Sequence, residues 1–364
     1  MRILFESWRG AYADNPRAIS QFLQRAHPEL EQFWVIEDPA LLPAGLRPVK
    51  RHSPRYFRLL WTADIIVTND IISRHIFKGP KANYLQTWHG TPLKTLGYDE
   101  AGVREGKITP HHRRMFRDVA KWDALLSPSP EVTDIFRRAF GYSGRVLETG
   151  SPRNDILLSP AADTRRTEAR QTLGIPHGAA AVLYAPTWRD DRPAQQKGFV
   201  DPGGLDIDIF LASTPDNVFL MLKMHPNVVT RYQHSSNRVL DVSHVREMAD
   251  LILAADVLVS DYSSVVFDFA VTRKPIVLFP YDLERYQRAR GLYFDYAEWA
   301  PGPIATTTEE LAQEIIRALG SDMARTRRYE RFLERFCPLE DGNATRRVYT
   351  EFFAPLLQSD ALNV

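Results

Sequence analysis

The sequence predicts an α/β protein made of two doubly wound domains that face each other across a cleft. Short apolar runs alternate with amphipathic stretches along the whole chain, the pattern of a parallel sheet covered by helices on both faces. The pattern restarts after a polar, proline-containing segment, GSPRNDILLSPAADTRR at 150–166. The length of 364 residues suits two domains at roughly 150 residues each.

RILFES (2–7) reads as a buried strand, and PRAISQFLQRAH (16–27) as a helix capped by Asn15 with Pro16 in its first position. FWVIED (33–38), DIIVTND (64–70) and NYLQTWHG (83–90) are further strands; EVTDIFRRAF (131–140) is a helix and RVLETG (145–150) a strand. These belong to a first domain, 1–160, and segment 150–166 is the hinge. In a second domain, 161–341, AVLYAPTW (181–188), VFLMLKMH (218–225), VLVSDYSS (257–264) and PIVLFP (275–280) are strands. HVREMADLILAA (244–255) has helical apolar spacing, and SSVVFDFAVTR (263–273) is a helix after a strand. The tail, 323–358, is helical by pattern with breaks near Pro338 and Gly342.

Composition narrows the function. A formal charge of +1 excludes a nucleic-acid binder relying on bulk positive charge. A hydrophobic fraction of 44% with 25% charged residues excludes an acidic disordered chain. The lone cysteine, Cys337, forms neither an internal disulfide nor a cysteine-rich zinc site. The opening MRILFESWRG has no apolar run before charged residues appear, so no signal peptide is expected. The longest apolar stretch, LILAADVLVS, contains Asp256 and falls short of the roughly 20 residues that span a bilayer. The expected location is cytoplasmic, with only peripheral contact on the inner membrane face. No G-x-G-x-x-G, Walker A, H-E-x-x-H or G-x-S-x-G motif occurs, which disfavours nicotinamide enzymes, P-loop NTPases, zinc proteases and α/β-hydrolases.

Doubly wound sheets bind ligands outside the carboxyl ends of their strands, and several runs end in chemistry-bearing residues. His89 follows NYLQTW beside Gly90. An imidazole there can take a proton from a hydroxyl nucleophile; a structural histidine bonded to a loop carbonyl fits the spacing equally well. His225, after Lys223, can contact a phosphate, although a buried histidine braced by Pro226 fits slightly better. In DYSSVVFDF (261–269), Ser263 and Ser264 fall where a strand turns into a helix, which suits a diphosphate. Asp268, about one turn on, suits ribose hydroxyls. A simple N-cap accounts for one serine and less well for the pair. Arg189 ends another run, followed by Asp190 and Asp191, which read as a solvated loop pair rather than a metal site. Two stretches are basic and aromatic without an acid, RPVKRHSPRYFR (47–58) and KITPHHRRMFR (107–117). Their Arg51, Arg55, Arg113 and Arg114 fit an anionic membrane surface or a phosphate-bearing acceptor, and an ordinary solvated face equally well.

QTWHGTPLKTLGYD (86–99), GSPRND (150–155), YAPTWRD (184–190), KMHPN (223–227), SDYSSVVFDFA (260–270) and RGLYFDY (290–296), with FESWRGAYADNPRA near the start, together resemble the CDP-glycerol glycerophosphotransferases of wall teichoic acid synthesis. The resemblance runs in order over most of the chain. It implies a GT-B fold of two Rossmann-like domains, with the final helix, 342–364, crossing back to the first. It also implies transfer of a polyol phosphate, most simply glycerol phosphate, from a CDP-activated donor to a hydroxyl of a lipid-linked acceptor, releasing CMP. His89 then corresponds to the catalytic base, and His225, Ser263 and Ser264 to donor-diphosphate ligands. Asp268 is assigned to the ribose, and Lys223 and Arg189 to the donor. No metal or cofactor is expected. The chain's length resembles that of the short, primase-type members. The alternatives are a GT-B glycosyltransferase using a nucleotide sugar, told apart by which nucleotide stabilises the protein, and a non-catalytic binding module, which the intact set of His89, His225, Ser263 and Ser264 opposes.

Overall fold

In the computed structural model, the described residues are 1–72, 78–187, 189, 204–224, 234–320 and 326–361. They form two units. The first comprises Met1–Thr91, Leu96–Asp155 and the chain from Phe336 onward; the second comprises Pro92–Thr95 and Ile156–Arg335.

The first unit is wound on a sheet of seven parallel strands: β1 (Arg2–Glu6), β2 (Glu31–Val35), β3 (Arg47–Val49), β4 (Ile65–Thr68), β5 (Asn83–Gln86), β6 (Ala124–Ser127) and β7 (Arg145–Glu148). Their spatial order is β3-β2-β1-β4-β5-β6-β7. Phe5 is in register with Trp34 on one side and Val67 on the other, and the Phe5 and Trp34 rings stack at 5.1 Å. These residues, with Ile65, Leu85 and Leu126, build a core that Val348, Phe352 and Phe353 of the C-terminal stretch complete. Asp155 holds the start of that stretch by accepting the amides of Ala344 and Thr345 at 2.9 and 2.8 Å.

The second unit carries five parallel strands, β8 (Ala180–Tyr184), β9 (Val218–Leu222), β10 (Val239–Asp241), β11 (Val257–Ser260) and β12 (Ile276–Leu278), in the order β10-β9-β8-β11-β12. Val182 pairs in register with Leu220 and Val257. The buried set includes Val182, Phe210, Leu220, Val259, Val277 and Leu311.

An aspartate placed before a strand recurs as a register pin. Asp64 accepts the amide of Arg2 at 2.6 Å, Asp123 that of Tyr84 at 2.7 Å, and Asp256 that of Ala181 at 2.8 Å. Each ties the entry of one strand to its neighbour.

The first helix departs from expectation. It runs Asp14–Ala26, and Asn15 does not cap it. The Asn15 amide instead donates to the carbonyls of Thr87 and Trp88 at 3.2 and 3.3 Å. The helix expected over 244–255 is confined to Met248–Ala254. The basic stretch 47–58 contains β3 and the start of the helix Pro54–Thr62, capped by Ser53; the stretch 107–117 is mostly the helix Pro110–Val119, capped by Thr109.

Candidate active site

In the first sheet the strand order reverses at β1 and β4, the switch point where doubly wound sheets bind ligands. The residues leaving β1, β4 and β5 converge there. His89 donates from Nδ1 to the backbone carbonyl of Asn69 at 2.5 Å. A carbonyl only accepts, so this nitrogen carries the proton and the neutral ring has its lone pair on Nε2. Nε2 has no hydrogen-bond partner among the described residues. The ring lies 4.4 Å from Trp88, near-parallel, and 4.7 Å from Trp8. Burial lowers the imidazole pKa below its ordinary 6.5, against the opposing effects of the Asn69 carbonyl and the carboxylates of Asp70 and Asp14. The arrangement would suit a general base, with a fixed tautomer and an open lone pair.

Around it the backbone is strained. Among the described residues six non-glycine positions have positive φ, and four of them, Trp8 (46°), Arg9 (63°), Asp14 (64°) and Trp88 (48°), surround His89 in this loop cluster. Such conformations persist only where neighbours over-determine them. Trp88 is held by its amide donating to Gln86 Oε1 at 2.9 Å and by packing on Phe140 at 4.7 Å. Asp14 is almost fully buried and pairs with Arg153 at 2.9 Å. Burial alone raises its pKa, but the Arg153 guanidinium and the Asn15 amide bring it below the ordinary 3.8. A small pocket lined by Asn15, Thr87, Trp88, Gly90 and Ser151 opens beside this cluster. Trp8, Asp14, Asn69 and Arg153 were not singled out from sequence. Trp8, Asp14 and Arg153 lie inside the quoted motifs, and the D-N-P triplet before the first helix was the available signal.

In the second sheet the reversal falls between β8 and β11. Ser263 and Ser264 stand in the turn after β11, both partly exposed, ahead of the helix Val265–Ala270. Ser263 Oγ accepts the Val265 amide at a long 3.4 Å. Ser264 is the N-cap residue but makes no side-chain capping bond. Asp268 is buried one turn on.

Arg189, expected at the donor, has its guanidinium enclosed. It donates from Nε and Nη2 to Asp282 at 2.9 Å each and from Nη1 to the Thr187 carbonyl at 2.6 Å. It also pairs with Asp261 at 2.8 Å as an ion pair lacking the alignment of a hydrogen bond. The rings of Tyr262, Tyr281 and Tyr286 cover it at about 5 Å. Burial works against its charge, and the two carboxylates more than offset that, raising its pKa. Asp261 in turn accepts the amides of Thr187 and Tyr262 at 2.7 and 2.6 Å, so Arg189 braces the turn that carries the serines. Lys223 likewise donates inward, to the carbonyls of Ser243 and Val245 at 2.9 and 2.6 Å, and burial lowers its pKa to about 8. His225, with Asp190 and Asp191, lies outside the described residues.

Of the basic residues, Arg51 is turned to the buried Glu6 at 2.6 Å, and that carboxylate also accepts the Tyr56 hydroxyl at 2.7 Å. Arg55 lies 5.4 Å over the Phe33 ring. Arg113 is exposed and Arg114 partly so. Phe57 and Trp61, one turn apart on the helix Pro54–Thr62, are 46% and 58% exposed beside the exposed Arg55 and Arg58. Among the described residues no helix is long and apolar enough to cross a membrane.

The family described as CDP-glycerol:poly(glycerophosphate) glycerophosphotransferase matches residues 1–354. A teichoic acid glycerol-phosphate transferase of Staphylococcus aureus is 35% identical over 362 residues, covering 96% of this chain and 92% of that protein. A teichoic acid poly(glycerol phosphate) polymerase of Staphylococcus epidermidis is also 35% identical, over 95% of this chain; the chain spans about half of that polymerase, 49%. The solved structure of the wall teichoic acid polymerase TagF matches with a TM-score of 0.88 at 33% identity, covering 99% of this chain and 89% of that one. A variant of it soaked with CDPG gives the same score at 32% identity, covering 99% and 88%. The α/β fold with parallel sheets of seven and five strands agrees with the GT-B-like class expected from the sequence.

Proposed function

Because the chain belongs to the CDP-glycerol:poly(glycerophosphate) glycerophosphotransferase family, we propose that it transfers glycerol phosphate from CDP-glycerol to a hydroxyl of a lipid-linked, teichoic-acid-type acceptor and releases CMP. His89 Nε2 takes the acceptor hydroxyl proton as that oxygen bonds to the β-phosphorus, and the bond from phosphorus to CMP breaks in line. Ser263, Ser264 and His225 hold the diphosphate and offset charge growing on CMP, while Asp268 serves the ribose. Arg189 and Lys223 contribute by bracing the loops around the donor. Positioning and charge stabilisation dominate such a transfer.

The observation that carries this reading is the Nδ1–H bond of His89 to the Asn69 carbonyl, which leaves Nε2 as an open base. The test is CMP release from CDP-glycerol in the presence of a primed acceptor. His89→Ala lowers turnover by roughly 10²–10⁴-fold, the range for loss of a general base, while CDP-glycerol still raises the melting temperature as it does for the parent protein. Turnover near the parent level in His89→Ala removes the base assignment.

The acceptor's lipid calls for a membrane surface. We assign that contact to the helix Pro54–Thr62, where Phe57 and Trp61 are exposed on the same helix as the exposed Arg55 and Arg58, a combination that suits an anionic interface. Arg113 and Arg114 are assigned to the same basic surface. Trp61→Ala combined with Arg58→Ala is expected to weaken sedimentation with anionic vesicles while turnover on a soluble acceptor is kept; unchanged vesicle binding contradicts the assignment.

A further inference from the structure

We propose that Asp14 is a positioning residue for His89, acting through Asn69 and Trp8; this rests on the reading of His89 as the base. A base is useful only while its lone pair points at the proton, and for His89 that direction is set by the Asn69 carbonyl. That carbonyl belongs to the loop leaving β4, so its own direction must be fixed by something else. The Asn69 side chain is held at both ends. Its Oδ1 accepts the Trp8 amide at 3.0 Å, and its Nδ2 donates to Asp14 Oδ2 at 3.0 Å.

The same Asp14 oxygen accepts the indole N–H of Trp8 at 3.0 Å, and this indole flanks the His89 ring at 4.7 Å. One carboxylate oxygen therefore holds both the residue that fixes the tautomer and the ring beside the imidazole. The other oxygen accepts Arg153 Nη1 at 2.9 Å and the Asn15 amide at 2.6 Å. Asn15 reaches the carbonyls of Thr87 and Trp88, the two residues preceding His89. The carboxylate is thus connected to the imidazole from two directions, through the carbonyl it faces and through the chain that bears it. An ion pair serving only to anchor the first helix accounts for the oxygen on Arg153. It does not account for the second oxygen, which serves Asn69 and Trp8.

The test uses the full chain with Asp14→Asn, with Asn69→Asp, and with His89→Asn as reference. Two readouts are taken: donor kcat and KM from CMP release, and ¹⁵N-histidine NMR, in which the His89 signal is identified by its loss in His89→Asn. Each single variant is expected to lower kcat about 10- to 100-fold with donor KM changed less than about twofold, the size of effect produced by misplacing a reacting group. Each is also expected to move the His89 signal away from a pure Nδ1–H tautomer. Parent-level kcat with an unmoved His89 signal in Asp14→Asn overturns the proposal. Should Asp14→Asn fail to fold, Trp8→Phe removes the indole N–H from the same oxygen while keeping an aromatic, though smaller, ring beside His89. A smaller kcat loss with a moved signal then supports the proposal, and no change in either opposes it. Parent-level turnover in His89→Asn defeats the base reading alone, since the NMR signal still reports whether Asp14 sets the tautomer.

Discussion

The His89 imidazole has a geometry compatible with both readings that the sequence presents as alternatives. A histidine bonded to a loop carbonyl and a histidine able to take a proton differ, in sequence terms, only in what the second nitrogen meets. Here the loop carbonyl of Asn69 occupies Nδ1 and thereby reserves Nε2. Burial holds the ring's pKa below 6.5, and a pH dependence follows. The acid limb of kcat/KM should fall below the range of an ordinary histidine, so turnover persists as pH is lowered through 6.5. For stability the sign is the same: between 6.5 and the folded value the unfolded chain binds a proton that the folded protein does not, so stability falls as pH drops through that window. His89→Asn should flatten this part of the curve in urea titrations run at a series of pH values; an unchanged slope contradicts a buried neutral ring. What the sequence did not show at this scale is Asp14. Its chain neighbours are polar or small, and its partners Asn69 and Arg153 are 55 and 139 residues away, so beyond the D-N-P triplet no local pattern marks it.

At the level of strands and turns, β1, β2, β4, β5, β8, β9 and β11 were legible because each is a continuous apolar run, as buried parallel strands require. β3, β6 and β10 were not: the edge strands β3 and β10 carry Arg47 with Pro48 and Asp241 in place of a continuous apolar run, and β6 offers only Ala124, Leu125 and Leu126 before Ser127 and Pro128. The strand-to-helix turn after β11 was legible as a pair of serines. The group that braces it was not, because an arginine at a strand end reads as a phosphate ligand until its partners are seen. Arg189→Met is expected to leave Asp261, 1% exposed, as an uncompensated buried charge. The expected cost is about 3–5 kcal/mol of stability, measured by urea denaturation, together with weaker stabilisation by CDP-glycerol. A loss below about 1 kcal/mol, as for an exposed pair, contradicts the bracing role.

Across the molecule, the first unit is assembled from three separate stretches of chain. Val348, Phe352 and Phe353 reach its core beside Phe5 and Trp34, so the C-terminal stretch is part of the unit that carries His89. Phe353→Ala, at a fully buried position, should cost about 3–5 kcal/mol. In calorimetry the loss should appear in a transition that CDP-glycerol does not raise, if the donor is held by the second unit; a loss confined to the ligand-sensitive transition contradicts this division. The repeated α/β pattern made two units legible in the sequence, whereas the helical tail carries no pattern naming the sheet it covers.

The same three-part construction governs the order in which a growing polypeptide can reach its final form. Domains ordinarily mature from the amino end as synthesis proceeds. Here the second unit has all its residues once Arg335 has been added, whereas the first still lacks the aromatic pair Phe352 and Phe353. The unit that holds the earlier strands therefore completes its core only after every residue of the other unit has been synthesised, with an apolar surface awaiting Phe352 and Phe353 until then.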